Sequence, residues 1–542
     1  MNQKNLQRLL TYAATAGYLI LALVTVAWGV YKRFQVPQAP IVDPDIRGYL
    51  GPAMSALTGH GFIHMDGRSF PYPWLVYLIL KCFGDFRAIS VIQHVLGAGA
   101  GVLLLLAWNA LLKLVPPGGI PREISRFIGV GPAAIFLGSA TAIHFEQEIR
   151  PEAIFPFLTI LNLYISLLFL DARFVRKNRS ALWLGGLNIF IAYLIYLMKP
   201  SFGLALPLTT APVWLSLLLP GQALRQKGIL LAAAVIPASL LLFLPEHILK
   251  RGDIWGTEFL PETLFSVHAS MILEQMEHDL AANDPTPYPR QILQSAHDLL
   301  AADLKKAATV TTPKAFDSLG YNPDYLMYNT FCPEFAKMTG WDPAQTNRFY
   351  YYYYERVLTK QPGAMWKKII GQMRLFYGPK NPAYRLGQSL KVADEYARNE
   401  ELITKRAQIG AGYAPLQPYF QECNALAAKG ASFDQIKRLT EWTRLFSAHY
   451  MDLLWVAIIS PLVLISCALR KHLRWVVIGL WLVYSYNFGN CFTIAVVHSL
   501  EVTRYVRIQL IYTVLAQTLS LYFIAEALVY GVRVIAQRRV HR

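Results

Sequence analysis

Two aspartates, Asp43 and Asp45, flank a proline directly after the first long apolar run. A carboxylate can take a proton from a hydroxyl group, so the pair is a candidate for general base catalysis. Carboxylates where a chain leaves a membrane also occur as ordinary solvated loop residues. Asp45 begins a short amphipathic segment with Tyr49, Ala53 and Leu57 along one face, which predicts a helix on the bilayer surface. The positive N-terminal end of that helix would hold Asp45.

Ionisable residues also stand at the ends of three later apolar runs. A charge near the bilayer centre costs about 2.5 to 3.5 kcal/mol on insertion scales, so these residues need an explanation. Each could snorkel to water or face a polar cavity. The spacing of His498, Glu501 and Arg504 predicts that the three share one helical flank and face such a cavity. The groups are 144–152 with Arg150 and Glu152, Lys199 beside Pro200, and 498–505.

The composition restricts the class of protein that carries these residues. Of the 542 residues, 54% are hydrophobic and 16% are charged, which is typical of a polytopic membrane protein. A formal net charge of +17 would suggest nucleic acid in a soluble chain. Here the basic residues form short clusters between apolar runs, which is the positive-inside pattern of membrane proteins. We therefore expect no nucleic-acid partner.

Apolar runs of about 20 residues are long enough to cross a hydrocarbon core of roughly 30 Å. The basic clusters fall on one side of the membrane if ten runs cross it, which predicts cytoplasmic termini. The run 73–80 is short and follows two prolines, so we expect a second interfacial helix there. The predicted spans are 12–30, 88–112, 127–143, 152–170, 181–198, 202–219, 229–245, 451–469, 475–491 and 505–530.

Residues 246–450 contain most of the acidic residues of the chain and show turn signals and helical periodicity. They predict a mainly helical external domain, large enough to bury its own core. This domain separates an N-terminal module of seven spans, 1–245, from a C-terminal module of three spans, 451–542. The first external loop, 31–87, contains the candidate base and is the expected catalytic loop. Cys332 and Cys423 fall in this segment and would form either a disulfide or two buried thiols.

The first loop also resembles a known family. The resemblance is to the polytopic glycosyltransferases of the GT-C class, on the branch with dolichyl-phosphate-mannose-protein mannosyltransferases, aminoarabinose transferases and lipid-A-core galacturonosyl transferases. It covers about the first 200 residues, and 150–152 and 501–505 are similar to further motifs of the branch. The residues that carry it are Asp45, Tyr49, Pro52, Ala53, Leu57, Gly59, Gly61, Phe62, Arg68, Pro71, Tyr72 and Pro73.

The resemblance implies an all-α, GT-C-like bundle in a bacterial inner (plasma) membrane, with its active site on the periplasmic or extracellular face. The expected reaction is an inverting transfer of a sugar from an undecaprenyl-phosphate-type carrier to a glycan, lipid or protein acceptor. Asp45 matches the catalytic base of the family. Arg150, Lys199 and Arg504 would bind the carrier phosphate. The residues expected to orient substrate are Asp43, Tyr49, Glu152, His498 and Glu501.

Three points stay open at this level. Some relatives use a divalent cation with such acidic residues, and the spacing here does not decide that point. A transporter or flippase for a lipid-linked saccharide also places charges in the membrane, although such proteins usually show paired halves. An oligosaccharide polymerase or ligase would more often place its key residues in a late loop. A single cavity lined by Asp45, Arg150 and Arg504 would favour the transferase.

Overall fold

The computed structural model describes residues 3–218, 224–250, 259–310, 316–406 and 412–540. Helices make up 78% of the chain, which confirms the expected all-α class. Within the described ranges, seven helices are long and apolar enough to cross a membrane, and up to nine if each of two bent helix pairs is one span. The protein therefore has the architecture of a multi-pass membrane protein.

Seven of the ten predicted runs are helices of spanning length. The run 127–143 is broken by a bend of 53°. The run 451–469 corresponds to Tyr450–Ile465, which meets the preceding helix Lys437–Ala448 at a bend of 49°. The run 202–219 forms Ala205–Leu218, which is shorter than a typical span, and residue 219 lies outside the described residues. The helices of spanning length are Leu9–Phe34, Arg87–Leu114, Phe155–Val175, Ser180–Met198, Leu224–Leu249, Cys467–Val497 and Leu510–Gln537, and the bent pairs are Arg122–Leu137 with Ala140–Gln147 and Lys437–Ala448 with Tyr450–Ile465.

The first loop contains both helices that the sequence predicts, Ile46–Leu57 and Pro71–Phe83. They pack against each other and bury Leu50, Ala53 and Val76 in a shared hydrophobic cluster. Asp45 is the residue that precedes the first helix, as expected. Its carboxylate makes no capping hydrogen bond, so it is available to other partners.

The segment 246–450 is mainly helical, as expected, but it does not form one separate core. Its first half shares a cluster with the membrane helices, and its second half shares another with the first-loop helices. The segment also contains a short stretch that is not helical, because Ser389–Lys391 pairs as an antiparallel strand with Ser432–Asp434. The helices are Leu260–Val267, Ala269–Ala282, Arg290–Thr309, Pro323–Tyr328, Phe331–Thr339, Pro343–Lys360, Pro362–Phe376, Ala393–Glu401, Leu416–Ala428 and Lys437–Ala448.

The two cysteines of this segment are separate free thiols. Cys332 is buried in the cluster with the membrane helices, and Cys423 in the cluster with the first-loop helices. The disulfide that the sequence left open is therefore absent. Each thiol instead packs as a small apolar side chain.

Candidate functional site

The site begins with a short backbone pairing between the first loop and residues 147–149. The Ile41 amide donates to the Gln147 carbonyl at 2.8 Å, and the Ile149 amide donates to the Ile41 carbonyl at 2.9 Å. This pairing sets the chain that follows Ile41 beside the chain that follows Ile149. As a result Asp43 and Arg150 meet, with 2.6 Å between Oδ2 and Nη2.

The segment 246–450 holds the same stretch of the first loop from the other side. The Asn399 side chain accepts a hydrogen bond from the Val42 amide at 3.0 Å and donates to the Pro40 carbonyl at 3.2 Å. The Tyr396 hydroxyl donates to the Ala39 carbonyl at 3.0 Å. Because both side chains are buried, these bonds fix the loop just before its two aspartates.

Asp45 lies between two arginines from distant parts of the chain. Its Oδ2 atom is 3.0 Å from Nη1 of Arg504 and 3.2 Å from Nη2 of Arg68. Burial by itself would raise the pKa of Asp45, but Arg504, Arg68 and Arg150 together lower it well below its ordinary value. The carboxylate is therefore ionised at neutral pH, as a general base must be.

Asp45 is half-buried, and the fully buried carboxylate of Glu152 continues the charge network. Oε1 of Glu152 is 2.6 Å from Nζ of Lys199, and its Oε2 is 3.8 Å from Nε of Arg150. Burial would raise the pKa of Glu152, whereas Lys199, Arg150 and Arg504 lower it below its ordinary value. Arg504 also approaches Oδ1 of Asp43 at 3.6 Å, so the two halves of the network are joined.

The network carries a balanced charge. Every cation in it faces a carboxylate within ion-pair distance, and every carboxylate faces a cation. A buried arrangement of this kind is stable only while the charges compensate one another. The acidic members are Asp43, Asp45, Glu148 and Glu152, and the basic members are Arg68, Arg150, Lys199 and Arg504.

Two tyrosines line the network. The Tyr49 ring lies 5.2 Å from the Arg68 guanidinium, and the Tyr505 ring lies 5.1 Å from both Lys199 Nζ and the Arg504 guanidinium. Cations over aromatic faces are attracted to the ring electrons and keep part of their charge accessible. Tyr49 is thus brought to the site as the sequence predicts.

The predicted helical flank of His498, Glu501 and Arg504 is wrong. The helix before them ends at Val497 and the next, Thr503–Arg507, begins only after a break. Glu501 turns towards the segment 246–450, where its carboxylate accepts hydrogen bonds from the Ser318 amide at 2.9 Å and hydroxyl at 2.6 Å. The His498 ring packs against Tyr505 at 5.2 Å between centroids.

The broken stretch is held by two side chains of the helix Pro362–Phe376, the buried Gln372 and the half-buried Lys368. Gln372 accepts hydrogen bonds from the Leu500 amide at 2.7 Å and the Ser499 hydroxyl at 3.1 Å. Lys368 donates to the Ala495 carbonyl at 2.7 Å and the His498 carbonyl at 2.8 Å. These bonds hold the stretch that leads to Arg504, and no feature of the sequence predicted them.

Sequence reasoning also missed two members of the site itself. Arg68 stands in the order of residues that resembles the GT-C family, and that order was the signal that could have assigned it a role. Tyr328 had no such signal. Its side chain lies on the segment 246–450, where desolvation of the hydroxyl and then the nearby charge of Asp45 raise its pKa.

The donor set does not fit a resident divalent cation. Across the described ranges, no group of three or more His, Cys, Asp or Glu side chains is arranged to hold a metal ion. The oxygens of Asp43 and Asp45 face guanidinium groups instead.

Comparison with known proteins leaves the resemblance as an expectation. No protein-family model matches the chain. No curated protein and no solved structure matches it either. The geometry of the site is therefore the basis for a proposed function.

Proposed function

We propose that this chain is a GT-C-type glycosyltransferase of a bacterial inner membrane, with ten spans and cytoplasmic termini. It would move a sugar from a polyprenyl-phosphate carrier to a glycan, lipid or protein acceptor on the face of the membrane where the first loop lies. The observation that carries the proposal is the position of Asp45, a carboxylate that two arginines keep ionised at the end of a surface helix. Both the base and the phosphate ligands of such a reaction are then present at one place.

The ion pairs suggest how donor binding would activate the base. In the free protein, Arg504 and Arg68 face the Asp45 oxygen that would accept a proton. A carrier phosphate is a better bidentate partner for two guanidinium groups than one shared oxygen is. The phosphate would draw both arginines away and leave Asp45 next to the acceptor hydroxyl.

The transfer itself would then need no further group. Asp45 takes the proton of the acceptor hydroxyl, and the acceptor oxygen forms a bond to the anomeric carbon of the sugar. The bond from that carbon to the phosphate oxygen breaks on the opposite side, so the configuration inverts. The electron pair leaves with the phosphate, where Arg504 and Arg68 stabilise the added charge.

The other two cations of the network, Arg150 and Lys199, are less accessible to a carrier phosphate. Arg150 is 3% exposed and faces three carboxylates, so its main role would be to position Asp43 and Glu152. Lys199 is 6% exposed and bound to Glu152. Both would add to the positive potential around the phosphate. The direct ligands that we propose are therefore Arg504 and Arg68, with Arg150 and Lys199 behind them.

The test is to incubate the purified protein with a panel of polyprenyl-phosphate sugars and to measure released polyprenyl phosphate. Asp45→Asn should abolish release, because the amide cannot accept the proton. The matched control is Asp434→Asn, at an exposed position of the strand Ser432–Asp434. Movement of the intact lipid-linked sugar across a bilayer, without release and without dependence on Asp45, would favour the transporter.

A further inference from the structure

A cavity of about 150 Å³ lies at the far end of the helix bundle from the Asp45 network. The last helix, Leu510–Gln537, begins shortly after Arg504 and carries Arg533 about 35 Å along its axis. Arg533 lines the cavity together with the short loop 115–121. Because one water molecule needs only about 10 to 15 Å³, the cavity has room for a small charged group. It is separate from the proposed transfer site.

A buried carboxylate fixes the loop 115–121 on the last helix. Glu526 is 1% exposed, and its Oε2 atom accepts a hydrogen bond from the Ile120 amide at 2.9 Å. Its Oε1 atom lies 2.6 Å from Nε2 of His472. A Cβ atom on Gly119 would collide with this carboxylate, and Gly118 has a φ of 133°, so the loop needs both glycines. Since both of its oxygens have partners, the carboxylate forms part of the cavity wall and is not free to bind a ligand.

Two arginines from different helices line the same cavity. Nη2 of Arg122 donates to the Val115 carbonyl at 3.1 Å, and Nη1 of Arg533 donates to the Gly118 carbonyl at 2.7 Å. Both side chains are exposed, and within the described ranges neither forms an ion pair with a carboxylate. A guanidinium carries several N–H donors, so each arginine keeps donors and a full charge for a ligand.

The cavity wall also contains a backbone donor. Gly119 is buried, and among the described residues its amide donates no hydrogen bond. Buried amides without an acceptor are rare in folded proteins, because the lost hydrogen bond costs free energy. With the amide and two guanidinium groups as donors and the only carboxylate already satisfied, the cavity fits an anion with several acceptor oxygens.

We propose that Arg122, Arg533 and the Gly119 amide form a binding site for a phosphate group. Guanidinium groups bind phosphate oxygens bidentately, and an amide can donate to a third oxygen. A lipid headgroup is the expected source, because the last helix exposes Leu528 by 64% and Val532 by 66% shortly before Arg533, as a helix in contact with acyl chains does. A soluble phosphate ion offers the same oxygens, and the experiment distinguishes the two sources.

The experiment compares the purified wild-type protein with an Arg122→Gln/Arg533→Gln variant. Binding is measured by titration with short-chain phosphatidylglycerol and, separately, with inorganic phosphate. We expect the variant to bind at least one of them about tenfold more weakly, since charge-assisted hydrogen bonds are lost. The matched control is Arg470→Gln/Arg474→Gln, which removes the same charge from exposed positions at the same end of the bundle, outside the cavity.

The titration that weakens identifies the source of the phosphate, and either result supports the site. Unchanged affinity for both compounds would overturn it, and so would an equal loss in the control variant, which would indicate a general effect of net charge. Thermal unfolding gives a second readout, because the bound compound should raise the Tm of the wild type more than that of the cavity variant. Asp45→Asn should retain this stabilisation, so the result does not depend on the transferase proposal.

Discussion

Oδ2 of Asp45 lies 3.0 Å from Nη1 of Arg504, although 459 residues separate the two in sequence. One belongs to the loop after the first span, and the other to the loop before the last. The site therefore exists only when both ends of the membrane bundle and the segment 246–450 are assembled. In the protein without substrate, the carboxylate of the proposed base is therefore held in an ion pair with Arg504.

We expect Asp45→Asn to bind polyprenyl phosphate more tightly than the wild type while it transfers no sugar. The amide carries no charge, so Arg504 and Arg68 no longer have a carboxylate that competes with the phosphate. An increase of about tenfold corresponds to one charge-assisted hydrogen bond. The measurement is a titration with polyprenyl phosphate. Weaker binding by this variant would show that Asp45 does not compete with the phosphate.

The variant Arg68→Gln should show a shifted pH dependence of sugar transfer. Arg504, Arg68 and Arg150 lower the pKa of Asp45, so loss of one cation raises it. A base with a higher pKa becomes protonated at a higher pH, and the acid limb of kcat/KM should move upwards by about one pH unit.

The control for this shift is Arg47→Gln. Arg47 lies in the same loop, but it is exposed and faces Asp66 at 3.7 Å. Its loss should leave the acid limb where it is. Equal shifts in the two variants would indicate a general change in surface charge instead of a contact with Asp45.

The local elements of the fold could be predicted well from the sequence. The helix after Asp45 follows from the spacing of Tyr49 and Ala53, both of which are buried. The apolar runs identify the membrane helices, because length and hydropathy are local properties. The bend at 138–139 could not be predicted from hydropathy, because the apolar run continues across it. The bend near 449 lies instead where the amphipathic helix Lys437–Ala448 meets the apolar Tyr450–Ile465.

The sequence predicted some of the residues of the site, but not most of the contacts between them. Charge at the ends of apolar runs identified Arg150, Lys199 and Arg504, which the structure brings together with Asp45. The hydrogen bonds of Glu501 could not be predicted from the sequence, because its partner Ser318 is far away in the chain, in the segment 246–450. Helical spacing around Glu501 was misleading, since the backbone there is held by tertiary hydrogen bonds instead of helical ones.

Gln372→Ala should weaken donor binding without removing the chemistry. Gln372 accepts hydrogen bonds from Leu500 and Ser499, and their loss would let the stretch before Arg504 move. We expect KM for the donor to rise several-fold and kcat to change less, because Asp45 is untouched. The control is Gln294→Ala, whose side chain is bonded only to the exposed Asp298. A loss confined to kcat would contradict a positioning role.

The topology predicts which parts of the chain lie outside the cytoplasm. A reporter that is active only in the periplasm should give signal when fused near Asn283, the exposed residue that ends the helix Ala269–Ala282 of the segment 246–450. The same reporter fused near Lys177 should be silent, because basic loops stay in the cytoplasm. The reverse pattern would place the Asp45 network on the cytoplasmic side and would contradict a periplasmic transfer.

The buried pair of Lys199 and Glu152 should be important for stability. Nζ and Oε1 are 2.6 Å apart, and each side chain is no more than 7% exposed. Lys199→Met would leave Glu152 with only the longer contact to Arg150 at 3.8 Å. Removing one partner of a buried ion pair typically costs about 3 to 5 kcal/mol, because the other charge loses its compensation.

The double variant Lys199→Met/Glu152→Gln separates this cost from lost packing. With the carboxylate also neutralised, the free energy of unfolding should return most of the way to the wild-type value. Lys405→Met is the matched control, since its pair with Glu401 is 3.8 Å long and both side chains are more than half exposed. We expect that variant to change the free energy of unfolding by less than about 0.5 kcal/mol. The measurement is denaturant unfolding of the purified protein, and equal effects of Lys199→Met and Lys405→Met would rule out the buried pair as a determinant of stability.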